Sequence, residues 1–227
     1  MFPGVLFVIS APSGTGKSTV CRRLLRRRRD LSYSVSCTTR APRPGEKSGR
    51  QYSFLSRDEF ERRARSGNFF LEWARVHGEC YGTPRRFIEK TLVRGGKPIL
   101  AIDVQGAKAI KRKLPGNSVL VFLAPPSMEV LRRRLRARKA PHDSPATRLA
   151  NARGEFREAR HFDYVVLNEN LGEAVSNVDA IITAEGLKAR RLFSKTARRG
   201  HLNGSMPRLL REAMTASNRS QTNREEN

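Results

Sequence analysis

Acidic residues are what this sequence is short of: 21 Asp and Glu stand against 45 Lys and Arg in 227 residues, a formal net charge of +24. A deficit of that size points to polyanionic partners, meaning nucleotides, nucleic acid or an anionic membrane surface, although a solvated surface in an arginine-rich proteome produces the same excess. Cysteine is scarce as well. Cys21, Cys37 and Cys80 are an odd number without metal-like spacing, which argues against a disulfide framework and a thiolate metal site. With no signal peptide in view, the reading is a reducing, cytoplasmic setting. Long apolar runs are missing too. The N-terminal "VLFVIS" is too short to span a bilayer and no basic segment precedes it, so a soluble protein with no membrane partner is expected. Internal repeats are absent. The hydrophobic fraction of 38% is modest, but it is grouped in blocks that support a packed core. The length suits one sizeable domain with lobes, or at most two small ones.

What is present is an alternation. "GVLFVIS" (4–10) has the continuous apolar character of a parallel strand buried on both faces. A glycine-rich loop follows, then "VCRRLLRRRR", with Val20, Leu24 and Leu25 at helical spacing. "KPILAID" opens a second strand-to-helix unit, its strand ending at Asp103. "NSVLVFLAPP" is a third buried strand, "FDYVVLNEN" a fourth, and a helix from "LGEAVSNVDA" closes the series. Ser127 is the expected cap of a basic helix "SMEVLRRRLRARK", and Asp143 or Ser144 that of "DSPATRLANARGEFREAR". Alternating strands and helices predict an α/β fold with a parallel sheet. Between 34 and 95 the pattern changes. "SYSVSCTTR" and "RQYSFLS" alternate like strands, "RDEFERRARSG" reads as a helix, and "FFLEWARVHGECYGTP" as two strands joined by a turn, so this block is expected to be an inserted lobe.

Two stretches carry chemistry. In "SAPSGTGKST" (10–19) the run Gly16-Lys17-Ser18-Thr19 stands directly after a strand and before a helix. That context suits a P-loop: the loop of Ala11, Pro12, Ser13, Gly14, Thr15 and Gly16 wraps phosphate, with backbone N–H groups from all of these but Pro12, Lys17 reaches the outer phosphates, and the Ser18 hydroxyl serves Mg²⁺. Ala11 takes the place of the first glycine of the full pattern, while Gly14 and Gly16 are kept. The second stretch, "SCTTRAPRPGE" (36–46), is a loop stiffened by Pro42 and Pro44 that presents Arg40 and Arg43 as planar forks for phosphate. Tyr52 and Tyr81 add hydroxyls, and Glu72 is an acid within an apolar strand, where an edge-strand glutamate facing water is the plainer alternative.

Together with "ILAIDVQGAK", "VFLAPPS" and "VVLNENL", these segments resemble guanylate kinase, in the family's order and spacing, over about residues 4 to 185. The resemblance implies a P-loop NTPase three-layer parallel sheet of the nucleoside monophosphate kinase type. Its core would comprise 1–33, 96–125 and 158–192, with a GMP-binding lobe over 34–95 and a helical lid over 126–157. It implies a transferase that moves the γ-phosphoryl group of ATP to GMP or dGMP with Mg²⁺ as cofactor, and it leaves the oligomeric state open. Arg40, Arg43, Tyr52 and Tyr81 would then hold the GMP phosphate, while Glu72, Ser36 and Thr83 read guanine. One carboxylate can accept from both N1–H and N2–H₂ of guanine but meets an acceptor at N1 of adenine. Asp103 serves the metal-bound water or the GMP end, or else caps the next helix, and Asn168 lies at the adenine side or simply closes a strand. Arg134, Arg138 and Arg148 are the lid arginines implied to reach the transferring group, with Arg132, Arg133 and Arg136 left to solvent.

Two departures from the family pattern stand out. Ala101 sits where an acid is usual, and "RKAPHD" replaces the usual lid sequence. The rival readings are a kinase of related fold with another phosphorylated acceptor, and a non-catalytic binding module. The first has no use for Glu72, Ser36 and Thr83 together, and the second lacks a working Gly-Lys-Ser. Residues 193–227 read as a basic, disordered tail for which nucleic-acid contact is at most a side activity.

Overall fold

The computed structural model describes residues 2–76, 78–137, 145–189 and 191. The expected tail, Arg138, and the candidate caps Asp143 and Ser144 lie outside these residues. Residues up to Ala184 form one compact unit. Of the second unit, residues 185–189 and 191 are described, and there Glu185 pairs with Lys188 and Arg191.

The centre of the first unit is a five-stranded sheet built from β1 (Leu6–Ser10), β2 (Leu31–Tyr33), β7 (Lys97–Ile102), β8 (Ser118–Ala124) and β9 (Tyr164–Leu167), ordered β2-β7-β1-β8-β9 and parallel throughout. All residues of β1 and β8 are buried, and burial on both faces explains why both strands are apolar apart from one terminal serine each, Ser10 and Ser118. Phe7 and Ile9 pack to one face against Val20 and Leu24 of α1 (Lys17–Arg27) and Val175 and Val178 of α7 (Leu171–Leu187). Leu6 and Val8 pack to the other, against Ile88 and Leu92 of α3 (Arg85–Val93) and Ala107 and Ile110 of α4 (Val104–Lys113). Three layers result. Among the described residues, no helix is long and apolar enough to cross a membrane.

A second, mixed sheet follows the order β4-β3-β6-β5, from β3 (Cys37–Thr38), β4 (Ser53–Phe54), β5 (Phe70–Val76) and β6 (Glu79–Pro84). On one face, Cys37, Phe70 and Cys80 pack with Phe60 of α2 (Arg57–Arg65), where the Phe60 and Phe70 rings stack at 4.6 Å. The other face is set by register: Glu72 opposes Thr83 and Ala74 opposes Tyr81, so Glu72, Tyr81 and Thr83 share a side. A bulge between Phe70 and Glu72 makes this possible. Phe70 enters the α2 cluster, Leu71 enters the core of the main sheet, and Glu72 is turned away from both. The stretch expected as one strand-like block, "SYSVSCTTR", is divided between the two sheets: its first residues extend β2 and its Cys37–Thr38 form β3.

The remaining helices, α5 (Met128–Ala137) and α6 (Pro145–Glu158), pack on each other through Leu131, Leu135 and Ala152. Ser127 accepts from the Val130 N–H at 3.2 Å, as its place before α5 predicts.

Candidate active site

The strand order reverses direction of growth at β1, whose neighbours β7 and β8 come later in the chain, and the crevice beyond the carboxyl ends of these strands is where open α/β sheets bind ligands. The loop after β1 enters it. Gly14 and Gly16 adopt φ of 84° and 101°, values that L side chains resist, and a Cβ on Gly16 would sit 2.7 Å from the Asn168 side-chain nitrogen. Gly16 is the N-cap of α1 and offers no side-chain cap, and the first turn carries no acid, so the orphan N–H groups of this helix end are left for an anion. Lys17 Nζ donates to the Ile102 carbonyl at 2.6 Å, at the end of β7.

A cavity of about 480 Å³ opens here. Its walls include Ala11, Pro12, Ser13, Gly14, Gly16, Lys17, Ser18 and Thr19 from the loop and α1. From the second sheet and its loop come Ser36, Arg43, Tyr52, Glu72 and Tyr81, and from β7 and the helices Ala101, Asp103, Arg134 and Glu155. Most of the residues singled out in the sequence are thus brought to one place. Thr15, Arg40, Thr83, Arg148 and Asn168 stand behind it. Asn168 is buried and donates to the Thr15 carbonyl at 2.5 Å, bracing the loop from outside. Arg148 is buried and directs a terminal nitrogen at the Leu135 carbonyl at 3.4 Å. Arg132, Arg133 and Arg136 are exposed.

The "RAPRPGE" loop is held by its own acid. Glu46 pairs with Arg40 at 2.9 Å and accepts from the Arg43 N–H at 2.8 Å, while the Arg40 guanidinium lies over the Tyr52 ring at 5.4 Å. Arg40 is therefore engaged within the loop, and Arg43 is the arginine that faces the cavity. Glu72 is buried with Thr83, whose hydroxyl donates to it at 2.6 Å. Burial pushes the Glu72 carboxyl up to about 7, against the Thr83 hydrogen bond, with the Asp103 charge adding to the rise and Lys113 opposing it. Space for that carboxylate depends on α4: a Cβ on Gly106 would lie 2.9 Å from Glu72 Oε2. Asp103 is the N-cap of α4, accepting from the N–H groups of Gln105 at 2.8 Å and Gly106 at 3.0 Å.

Glu155 was not anticipated from the sequence. It comes from α6, and burial pushes its carboxyl up to about 7 although Lys17 pulls it down. A signal existed: Glu155 is seven residues from Arg148, two turns along one helix, so the two share a face. Glu46 was missed in the same way, within a quoted motif but without an assigned part.

The guanylate kinase family model matches residues 4–185, which is most of the chain and includes every described residue of the cavity. The chain belongs to the guanylate kinase family. It is 48% identical over 189 residues to the guanylate kinase of Symbiobacterium thermophilum, covering 82% of this chain and 87% of that one. It is 45% identical over 191 residues to that of Geobacter sulfurreducens, covering 84% and 93%. The crystal structure of guanylate kinase from Anaplasma phagocytophilum superposes with a TM-score of 0.72 at 36% identity, covering 88% of this chain and 97% of that one. Guanylate kinases are nucleoside monophosphate kinases, and membership makes this chain an ATP:GMP phosphotransferase on an α/β P-loop fold. A sugar-phosphate kinase and a non-catalytic module are thereby set aside.

Proposed function

We propose that the cavity holds ATP and GMP end to end, with the P-loop on the ATP side and the second sheet on the GMP side. The carrying observation is that one cavity is lined both by residues 11–14 and 16–19 and by Ser36, Arg43, Tyr52, Glu72 and Tyr81. On the first side, backbone N–H groups and Lys17 take the β- and γ-phosphates, Lys17 leaving the Ile102 carbonyl to do so. On the second, Arg43, Tyr52 and Tyr81 hold the GMP phosphate, with Arg40 securing the loop through Glu46 or turning to the phosphate itself. Glu72, steadied by Thr83, accepts the two donors of the guanine edge, and Ser36, in the wall of the same cavity, joins it there.

The donor atoms fit magnesium. Among the described residues, no group of three or more His, Cys, Asp or Glu forms a protein cage, and the side-chain oxygens that line the cavity are those of hydroxyls, Ser18 among them, and of carboxylates. Mg²⁺ prefers such hard oxygens, keeps several waters and borrows phosphate oxygens, so Ser18 would hold it together with the nucleotide. When bound, it supplies positive charge at the β- and γ-oxygens. The chain's own task is placement and charge: the GMP phosphate oxygen is aligned with the γ-phosphorus, Arg134 faces the gap, and Arg148 and Arg138 approach as α5 and α6 close. The γ-phosphoryl group passes to GMP and ADP leaves. The three thiols are buried and unpaired, which suits a reducing cytoplasm.

An ADP-release assay with MgATP tests this reading by comparing GMP, dGMP, AMP, CMP and UMP. Turnover confined to the guanine nucleotides and abolished by chelator is expected. Turnover of AMP at the GMP rate, or none with any acceptor, overturns it.

A further inference from the structure

Three carboxylates, Glu72, Asp103 and Glu155, reach a cavity that is otherwise built for phosphate. Glu72 is engaged by Thr83, and Asp103 by the first turn of α4. Glu155 has no hydrogen-bond partner among the described residues; the charges it feels are Lys17 and Asp103. Its position is not accidental to a loose segment, because Ala152, one turn earlier on α6, is buried against Leu131 and Leu135 of α5. β7 contributes Ala101, a methyl group, to the wall of the same cavity. The strand thus adds no carboxylate there, whereas α6 adds one.

A carboxylate among phosphates is repelled unless positive charge lies between them. Lys17 is already committed, to Ile102 in this structure and to phosphate in the proposed complex. Arg43 and Arg134 also line the cavity, and in the proposed complex they serve the GMP phosphate and the transferring group, so the charge left to meet Glu155 is a divalent cation with oxygen ligands and a retained water shell. We propose that Glu155 is a cation-positioning residue: from α6 it accepts hydrogen bonds from the water shell of the divalent ion carried by ATP, in a cavity to which β7 contributes Ala101 and no acid. The inference rests on the reading of this cavity as the ATP site. It has a structural corollary. Because α6 packs on α5, which carries Arg134, a nucleotide loaded with metal draws this helix pair onto the cavity, whereas free ATP, lacking the ion, repels Glu155.

Calorimetric titration of the full chain with the β,γ-imido analogue of ATP, with magnesium and with chelator, tests the proposal. The wild-type protein is expected to bind the analogue more tightly with metal. Glu155→Gln should lose about tenfold or more of that gain, as for other groups that orient a metal's ligands, while metal-free binding stays equal or tightens. Glu155→Asp, which keeps the charge with a shorter reach, should lose less. A gain that is the same in wild type and Glu155→Gln overturns the proposal, as does equal weakening with and without metal, which marks a merely structural role. Should Glu155→Gln not fold, the Asp variant decides, with an undiminished gain counting against the proposal. A wild-type protein that binds the analogue in neither condition overturns the ATP reading itself, and this inference falls with it.

Discussion

The P-loop end of the cavity and the Glu72 end are built by different means. At the first, the ligand-facing atoms are mostly main chain, placed by one contiguous segment between a fully buried strand and a helix, with glycine φ values of 84° and 101° shaping the turn. At the second, they are side chains drawn from strands as short as two residues, from a bulged edge strand and from a loop folded on its own glutamate. A main-chain cradle recognises charge and shape in any polyphosphate. A side-chain constellation discriminates among bases, and it depends on several distant segments staying in register. Damage at the first end should therefore abolish turnover, while damage at the second should be selective for the acceptor.

The largest effect expected is at Lys17. Lys17→Ala should lower kcat by about a thousandfold, the scale for removing a preorganised charge from a phosphoryl-transfer site, with every acceptor affected alike. It should leave Tm nearly unchanged by comparison with that loss of activity. A variant that retained a tenth of the activity would break the comparison from the P-loop side.

Next comes Glu72→Gln, which keeps one acceptor and loses the charge. A hydrogen bond to a charged group is worth about 1.5–3 kcal/mol, so kcat/KM for GMP should fall about a hundredfold while KM for ATP stays within about twofold. Equal loss toward both substrates would show that the two ends are not separable. The same residue gives a pH test. Because burial holds its carboxyl near 7 in the free protein, Glu72 is largely protonated at pH 6 and a carboxylate at pH 8. KM for GMP should fall by about tenfold over that interval as the competent acceptor appears, with Glu72→Gln retaining only the part that comes from the GMP phosphate.

Gly106→Ala is a subtler attack on the same end. Its Cβ would lie 2.9 Å from Glu72 Oε2 and 3.1 Å from Ile102 Cδ1, so the carboxylate must shift. A loss of about tenfold in kcat/KM for GMP is expected in steady-state assays, with ATP use preserved. The smallest effect is at Asn168. Asn168→Ala removes the 2.5 Å brace on the Thr15 carbonyl, and it should raise KM for ATP about threefold through a looser loop, with GMP untouched. A shift in KM for GMP instead would place Asn168 outside the P-loop's support.

The same contrast explains what was legible in the sequence. β1 and β8 announce themselves because burial on both faces demands uninterrupted apolar residues, and the P-loop because a main-chain site needs glycine at fixed local spacing. The second sheet is less legible. β3 and β4 are two residues long, shorter than any periodicity can register, and the bulge that separates Phe70, Leu71 and Glu72 into three environments leaves no local sign. The part proposed for Glu72 at the guanine edge is reachable only through family resemblance. Asp103 illustrates a pair of readings of which the structure bears out the cap of α4, while its place in the cavity wall leaves room for the other. Glu155 was overlooked because α6 reads as an ordinary polar helix, and its chemistry depends on which face α5 leaves toward the P-loop. Arg40 shows the reverse, a residue chosen for its charge that the fold first spends on Glu46.

The raised Glu72 carboxyl has a consequence for how this protein can be altered. A group that holds its proton more tightly when folded than when unfolded leaves stability untouched below its ordinary value of 4.5, then withdraws stability as pH climbs to about 7, and the deficit is complete above that. At neutral pH the enzyme thus carries a standing penalty for the side chain proposed to recognise its acceptor. Glu72→Gln should raise the melting temperature at pH 8 and not at pH 4. A laboratory selection for soluble expression or heat resistance, run without GMP in the medium, would accordingly favour replacements at this position early. The lineage would come out hardier, well folded, and blind to its substrate.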